Sequence, residues 1–466
     1  MTAGPAGVHA IAQAVRSGAL DAQAAVEQSL ARIEATDGQV NAFTAVLAER
    51  ARSRARAIDR DPARSSLPLA GVPFAVKNLF DVAGIPTLAG SKIERDSPPA
   101  AADGLLVTRL EAAGAILVGA LNMDEYAYGF TTENTHYGAT HNPHDLGRLA
   151  GGSSGGSAAA LAAGQVPLTL GSDTNGSIRV PSSLCGVFGL KPTFGRLPRT
   201  GSYPFVASLD HLGPFARSVH DLALAYDLLQ GHDSRDAGCV ARPVEPTLAQ
   251  LDEGIDGLAI ATLGGWWHTM ADDDARTAVA RVAGFLGAHE EVQLPEVARA
   301  RAAAFLITNA EGANLHLTDL RRRAQDFEPL SRDRMLAGAL LPATWVQQAQ
   351  RVRRWFAERV AEAFTKVDIL LAPATPCVAP LLGTEWLELG GERLPARPSL
   401  GLLAQPLSCI GVPVLTVPVW GASAAHPGLP LGVQVIAAPW REDLALRVAR
   451  HLESAPWCRA PVAEPG

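Results

Sequence analysis

Cysteine is scarce and scattered. Five residues (Cys185, Cys239, Cys377, Cys409 and Cys458) are spread through 466, and no two form a CxxC pair. An odd, dispersed set excludes a disulfide framework and a zinc-knuckle site, and reads as reduced thiols in a cytoplasmic chain. Charge of one sign never accumulates either. The net charge is -7, without the basic patch that a nucleic-acid binder needs. No stretch of 18 apolar residues occurs, so no membrane span is expected. The N-terminus, MTAGPAGVHAIAQAVRSG, has no basic segment followed by an apolar core, so no secretion signal is expected.

What the chain does have is apolar content and turns. Hydrophobic residues make up 47%, enough for a large core, and 44 Gly with 33 Pro imply many short elements. Residues 7–36 read as two helices, with Ala25, Val26, Leu30 and Ile33 at helical spacing and Asp21 as an N-cap for the second. Short apolar strands are expected near 72–76, 115–118, 166–170, 258–262, 368–372, 414–417 and 432–437. Helices are expected near 104–113, 157–163, 344–364 and 441–453. In the 344–364 helix Trp345, Ala349, Val352, Phe356, Val360 and Phe364 share one face. Strands interleaved with helices imply a sheet covered by helices, hence an α/β fold. With no repeat and no low-complexity linker, one continuous domain fits better than two.

One segment departs from this rhythm. Residues 147–179 read GRLAGGSSGGSAAALAAGQVPLTLGSDTNGSIR, two Gly/Ser turns separated by a helix and a strand. A phosphate-binding P-loop would end in Gly-Lys-Ser/Thr, and no Lys follows the glycines. The alternative is a nucleophile site. Ser177 follows a tight turn beyond a buried strand, where backbone N–H groups can meet an oxyanion; a lost donor of that kind costs about 3–4 kcal/mol. The competing reading is a serine that only caps a helix. A serine nucleophile needs a base. His136, His141 and His144 crowd one polar loop, but their spacing matches no metal-ligand pattern and no metal is expected. Lys77 ends the apolar run Val72–Val76. Burial there would lower its pKa and make it a usable base, unless it snorkels to the surface.

The combination Gly-Gly-Ser-Ser-Gly-Gly-Ser, then Asp-Thr-Asn-Gly-Ser-Ile-Arg-Val-Pro, with an upstream strand-end Lys, resembles the amidase signature family. The likeness runs from Ala42-Phe43 to Leu429–Gln434. It implies a single amidase-signature domain with a mixed central β-sheet surrounded by helices. The N-terminal helices would occupy about 7–65 and the signature core about 66–235, and the remainder would complete the sheet and substrate pocket. It implies amide hydrolysis without a cofactor, through a Ser-Ser-Lys triad. Ser177 would be the nucleophile, Ser153 the bridging serine on a cis peptide after Gly152, and Lys77 the base. The N–H groups of Thr174, Asn175, Gly176 and Ser177 would form the oxyanion hole. Asp173 and Arg179 would support the turn.

The family usually places two glycines before the nucleophile, and here Asn175-Gly176 stands instead. Asn tolerates left-handed angles, and its amide would narrow the acyl pocket toward a small, polar, planar substrate. The stretches Asn122–Glu125, Thr132–Thr135 and Asn142-Pro143 resemble the A subunits of glutamyl-tRNA amidotransferases. The resemblance points to Arg353 and Met123 as substrate contacts, with Arg321, Arg322, Arg323, Arg351 and Arg354 as rivals for a carboxylate. Gly401 stands where that branch has an acid for a substrate ammonium. A second likeness is to family hydrolases of small carboxylated amides and ureas. It is carried by Leu88–Lys92, Tyr126–Phe130, Gln325–Pro329 and Ala437–Trp440. It implies a small helical partner resembling the amidotransferase C subunit, and a homodimer or heterotetramer. Beside hydrolase and glutaminase stands a third reading, an inactive scaffold subunit.

Overall fold

Eleven short segments pair into one sheet in the structure, a computed structural model that describes residues 6–464. Residues 1–5, the start of the stretch read for a secretion signal, lie outside the described residues. In chain order the strands are β1 (Phe43–Val46), β2 (Pro73–Lys77), β3 (Ile116–Leu121), β4 (Leu168–Asp173), β5 (Phe188–Lys191) and β6 (His211–Ala216). They continue with β7 (Ile260–Leu263), β8 (Glu290–Val292), β9 (Ile369–Pro373), β10 (Val414–Val419) and β11 (Leu431–Ala437). Their spatial order is β1-β3-β2-β4-β6-β5-β10-β11-β9-β7-β8. The sheet is mixed. β2 runs parallel to β3 and β4, whereas β4, β6, β5, β10, β11 and β9 pair antiparallel in succession.

Helices cover both faces, so the central strands are apolar on both sides. Strand alternation divides the core accordingly. Phe74 and Val76 of β2 and Leu117 of β3 join one cluster; Ala75, Ile116 and Val118 join the other. The expected strands all form within a few residues of the places read for them. β5 (FGLK) and β6 (HLGPFA) carry no such signal, because their Gly and Pro read as turn residues. No helix among the described residues is long and apolar enough to cross a membrane.

The first two helices are Val8–Ser17 and Ala22–Val40. Asp21 holds the N-cap position of the second, but its side chain makes no capping bond. Asp59, from the helix Ala48–Arg60, accepts from the N–H groups of Ala22 (2.7 Å) and Gln23 (3.1 Å) instead. The long amphipathic helix spans Ala343–Ala363 and buries Ala349, Phe356 and Val360, while Trp345 stays exposed.

The sheet brings two chain-distant ends together. Lys77 and Asp173 are the last residues of the parallel neighbours β2 and β4. Open α/β sheets place their sites at such carboxyl ends. For the tertiary cap, D59A should lower stability by about 1 kcal/mol in chemical denaturation. D21A should leave it nearly unchanged.

Candidate active site

Lys77 lies on the same face of β2 as Ala75, fully buried beneath the helix Gly155–Ala162. Its Nζ is 2.7 Å from Ser153 Oγ, 3.0 Å from Ser154 Oγ and 2.9 Å from Ser172 Oγ. Burial pushes this amine down to about 7, against the opposite pull of Asp124, Asp173 and Asp210. The hydroxyls suit a neutral amine. Ser154 donates to the Ser172 carbonyl (3.1 Å) and so turns a lone pair to Nζ. Ser153 and Ser172 can each donate or accept, so two N–H bonds and one lone pair of Lys77 all find partners. A second buried lysine, Lys191, is also pushed down to about 7 by burial, yet it faces the carbonyls of Pro192 (3.1 Å) and Val412 (2.5 Å). Carbonyls only accept, so neither of these partners offers Lys191 a proton to take.

The Gly152–Ser153 peptide is cis. A side chain at 152 would lie 2.1 Å from Asp124 Oδ2 and 2.7 Å from the Thr131 nitrogen, so only Gly fits. The Asp124 N–H donates to the Ser153 carbonyl (3.3 Å). The Asp124 carboxylate pairs with Arg397 (2.9 Å), which also holds Glu328 (2.8 Å). Burial raises Glu328 to about 7 despite Arg397.

The turn 173–178 is built around Asp173. Its carboxylate accepts from the N–H groups of Gly176 (2.7 Å) and Ile178 (3.1 Å) and from Arg179 Nε (3.0 Å) and Nη2 (2.9 Å). Burial would raise this carboxyl, but Arg179 holds it well below the usual range. Arg179, itself buried, also donates to the Ala404 carbonyl (3.0 Å), Gln434 Oε1 (2.8 Å) and the Ser408 hydroxyl. Two expectations change here. Asn175 does not adopt a left-handed angle, and only Gly176 does (φ 135°), where a side chain would strike Ala404 at 2.8 Å. The Gly176 N–H is committed to Asp173, so the N–H groups of Thr174, Asn175 and Ser177 are those without an acceptor among the described residues.

Ser177 opens on a small cavity. Its walls include Tyr128, Phe130, Asn175, Thr308, Arg334 and Gln405. Asn175 Nδ2 donates to Thr308 Oγ1 (2.8 Å) and leaves Oδ1 without a partner. The cavity adjoins a larger hollow reaching Ser172, with Ala127, Thr174 and Phe205 common to both. Met123 is fully buried in the core and absent from the cavity wall. Arg353 likewise does not line it; its guanidinium donates to the carbonyls of Cys409 (2.6 Å) and Ser208 (2.9 Å) and ties its helix to the helix Gln405–Ile410 and to a loop. Arg334, in the helix Pro329–Ala339, reaches the cavity instead, and no short motif marks it. His136, His141 and His144 bond to Glu125, the Leu146 carbonyl and the Cys185 carbonyl, three separate partners.

Known proteins match this chain throughout. The amidase family model matches residues 24–446. The chain is 59% identical over 445 residues to AtzE, a component of the 1-carboxybiuret hydrolase of Pseudomonas sp. (strain ADP), covering 95% of this chain and 97% of that one. It is 42% identical over 479 residues to the A subunit of the glutamyl-tRNA(Gln) amidotransferase of Anaeromyxobacter sp. (strain K), covering 96% and 94%. Among solved structures, one comes from an unexpected vestigial protein complex that reveals the evolutionary origins of an s-triazine catabolic enzyme. It superposes with a TM-score of 0.96 at 57% identity, over 98% of this chain and 100% of that one. The 6-aminohexanoate cyclic dimer hydrolase superposes at 0.85, with 30% identity over 99% of each chain. A family match of this extent, on a mixed eleven-stranded sheet surrounded by helices, means that the chain belongs to the amidase signature family and is a hydrolase of carbon–nitrogen bonds.

Proposed function

We propose that the substrate is a small carboxylated amide or urea, 1-carboxybiuret in the first instance, and that Lys77, Ser153 and Ser177 carry the reaction. Neutral Lys77 takes the Ser153 proton as Ser153 takes that of Ser177. The Ser177 oxygen bonds to the amide carbonyl carbon, and the N–H groups of Thr174, Asn175 and Ser177 meet the oxyanion. The relay then reverses. A proton passes through Ser153 to the leaving nitrogen, the C–N bond breaks, and ammonia departs. Water, deprotonated by the same relay, hydrolyses the acyl-enzyme.

One observation carries the choice of substrate. The cavity wall beside Ser177 contains no acidic side chain to neutralise an ammonium group such as that of glutamine. Gly401, where an acid would stand in a glutaminase, lies against Phe130; a side chain there would meet the Phe130 ring at 2.3 Å. The aromatic ring fills the volume an acid would need. The 59% identity to a 1-carboxybiuret hydrolase component supports the same choice.

The test is ammonia release from 1-carboxybiuret, biuret, glutamine and a simple aliphatic amide, each beside S177A. Release from 1-carboxybiuret, reduced by about four orders of magnitude or more in S177A, is expected. Release from glutamine would make this part of an amidotransferase and overturn the reading. Failure of a serine-reactive phosphonate to label Ser177 would favour the inactive scaffold. Acid protonates Lys77 and removes the base. kcat/KM should therefore fall as the pH drops through about 7 and level off above it. A profile flat to pH 5 would exclude Lys77 as the base.

We also propose a small helical partner, resembling the amidotransferase C subunit, within a homodimer or heterotetramer. Leu330, Leu336, Leu340 and Trp345 are exposed along the helices Pro329–Ala339 and Ala343–Ala363, and Leu340 is 83% exposed. Apolar surface gathered in this way marks an interaction face. Light scattering of L340E/W345E should show loss of the larger assembly. An unchanged mass would place the partner elsewhere.

A further inference from the structure

Arg334 is a guanidinium without a counter-ion. Among the described residues it makes no ion pair, and its Nε has no hydrogen-bond partner. Its guanidinium carbon lies 3.8 Å over the centre of the Tyr128 ring and 5.1 Å over that of Phe305. Tyr128 is fixed in turn by a hydrogen bond from its hydroxyl to Asn309 Oδ1. The cation is therefore held by the Tyr128 and Phe305 rings, with its buried Nε left without a partner.

The neighbouring groups continue the pattern. Arg301 Nε donates to Gln405 Oε1 (2.8 Å). Arg only donates, so this bond settles the Gln405 amide: its oxygen is taken and its NH2 is the end left over, for which no acceptor occurs among the described residues. Arg301 has no carboxylate partner either. Burial lowers both guanidinium pKa values, and in Arg301 the like charge of Arg334 adds to the effect, as expected of cations lacking an anion. The same cavity is lined by Asn175, whose Oδ1 is an unpartnered acceptor on a residue only 6% exposed.

We propose that Arg334, assisted by the Gln405 amide NH2, binds the carboxylate of the substrate, that Asn175 Oδ1 accepts a substrate N–H, and that Arg353 plays no part in substrate binding. This rests on the hydrolase reading above and names the residues that select an anionic amide over a neutral one. One cavity wall carries two donors, one of them cationic, together with one acceptor and Ser177. A planar molecule carrying a carboxylate, an N–H and a carbonyl matches that set of groups. A neutral amide leaves Arg334 unpaired in the cavity.

The test compares wild type, R334Q and R353Q on 1-carboxybiuret and on biuret, its counterpart lacking the carboxylate. R334Q should lose about 100-fold in kcat/KM on 1-carboxybiuret, mainly through KM, and remain within about threefold of wild type on biuret. R353Q, which loses two bonds to backbone carbonyls, should affect both substrates alike. Equal losses on both substrates in R334Q, or an anion-selective loss in R353Q alone, would overturn the assignment. A second readout does not require turnover of either compound. Malonate should protect Ser177 from a neutral phosphonate in wild type and about tenfold less well in R334Q, whereas malonamide should protect both equally. If wild type releases ammonia from neither urea, the substrate reading fails, while Arg334-dependent protection by malonate still supports the anion site. Equal protection by malonate in both proteins overturns it.

Discussion

A primary amine sits fully buried at the end of β2, and the hydrogen bonds between Lys77 and three serine hydroxyls set the terms for everything around it. Desolvation makes the charged amine costly, and no carboxylate lies within ion-pairing distance among the described residues. Hydroxyls solve this because they serve both protonation states of the amine. They come from two places: Ser153 and Ser154 from one turn, and Ser172 from β4. The turn approaches closely only because Gly152 and Gly156 have no side chain. A Cβ on Gly156 would lie 2.6 Å from the Ala42 carbonyl.

The second constraint is electrostatic and separate from the first. Asp173 and Arg179 are both buried, and a broken buried pair typically costs about 3–5 kcal/mol. Arg179 spreads its charge over Ala404, Ser408 and Gln434, from the helix Gln405–Ile410 with its N-cap and from β11, so the turn 173–178 is fastened to the far half of the chain. By consuming the Gly176 and Ile178 N–H groups, Asp173 holds the turn and leaves the Thr174, Asn175 and Ser177 N–H groups facing no acceptor. The proposed chemistry and the proposed specificity then fall to different parts of the fold. The sheet ends and glycine-rich turns bear Lys77, Ser153 and Ser177. The helices Val297–Leu315 and Pro329–Ala339 bring Thr308 and Arg334 to the cavity.

That division explains how much was legible beforehand. Lys77, Ser153 and Ser177 stand in local patterns of glycine, serine and strand-end polarity, and such patterns survive being read as a string. The helices Ala22–Val40 and Ala343–Ala363 and the apolar strands other than β5 and β6 are equally plain from their periods. Arg353 was misleading because a local likeness says nothing of which way a helix turns its face; its guanidinium meets the Cys409 and Ser208 carbonyls. Met123 failed similarly, since an apolar residue beside a strand end is as suited to the core as to a pocket. Asp21 lost its capping role to Asp59, 38 residues away along the chain (59 − 21) but adjacent in space.

By itself, the sequence determined the α/β class, the strands and helices of strong period, and the glycine-rich turns on which a hydroxyl and an amine could meet. These are short-range matters of period, backbone freedom and burial. Tertiary structure alone decided that Lys77 has three hydroxyl partners, that Gly176 gives its N–H to Asp173, and that Arg334 rather than Arg353 reaches the cavity. Each depends on the direction of a side chain across elements far apart in the chain. Direction is fixed by packing, and no local pattern of residues records it.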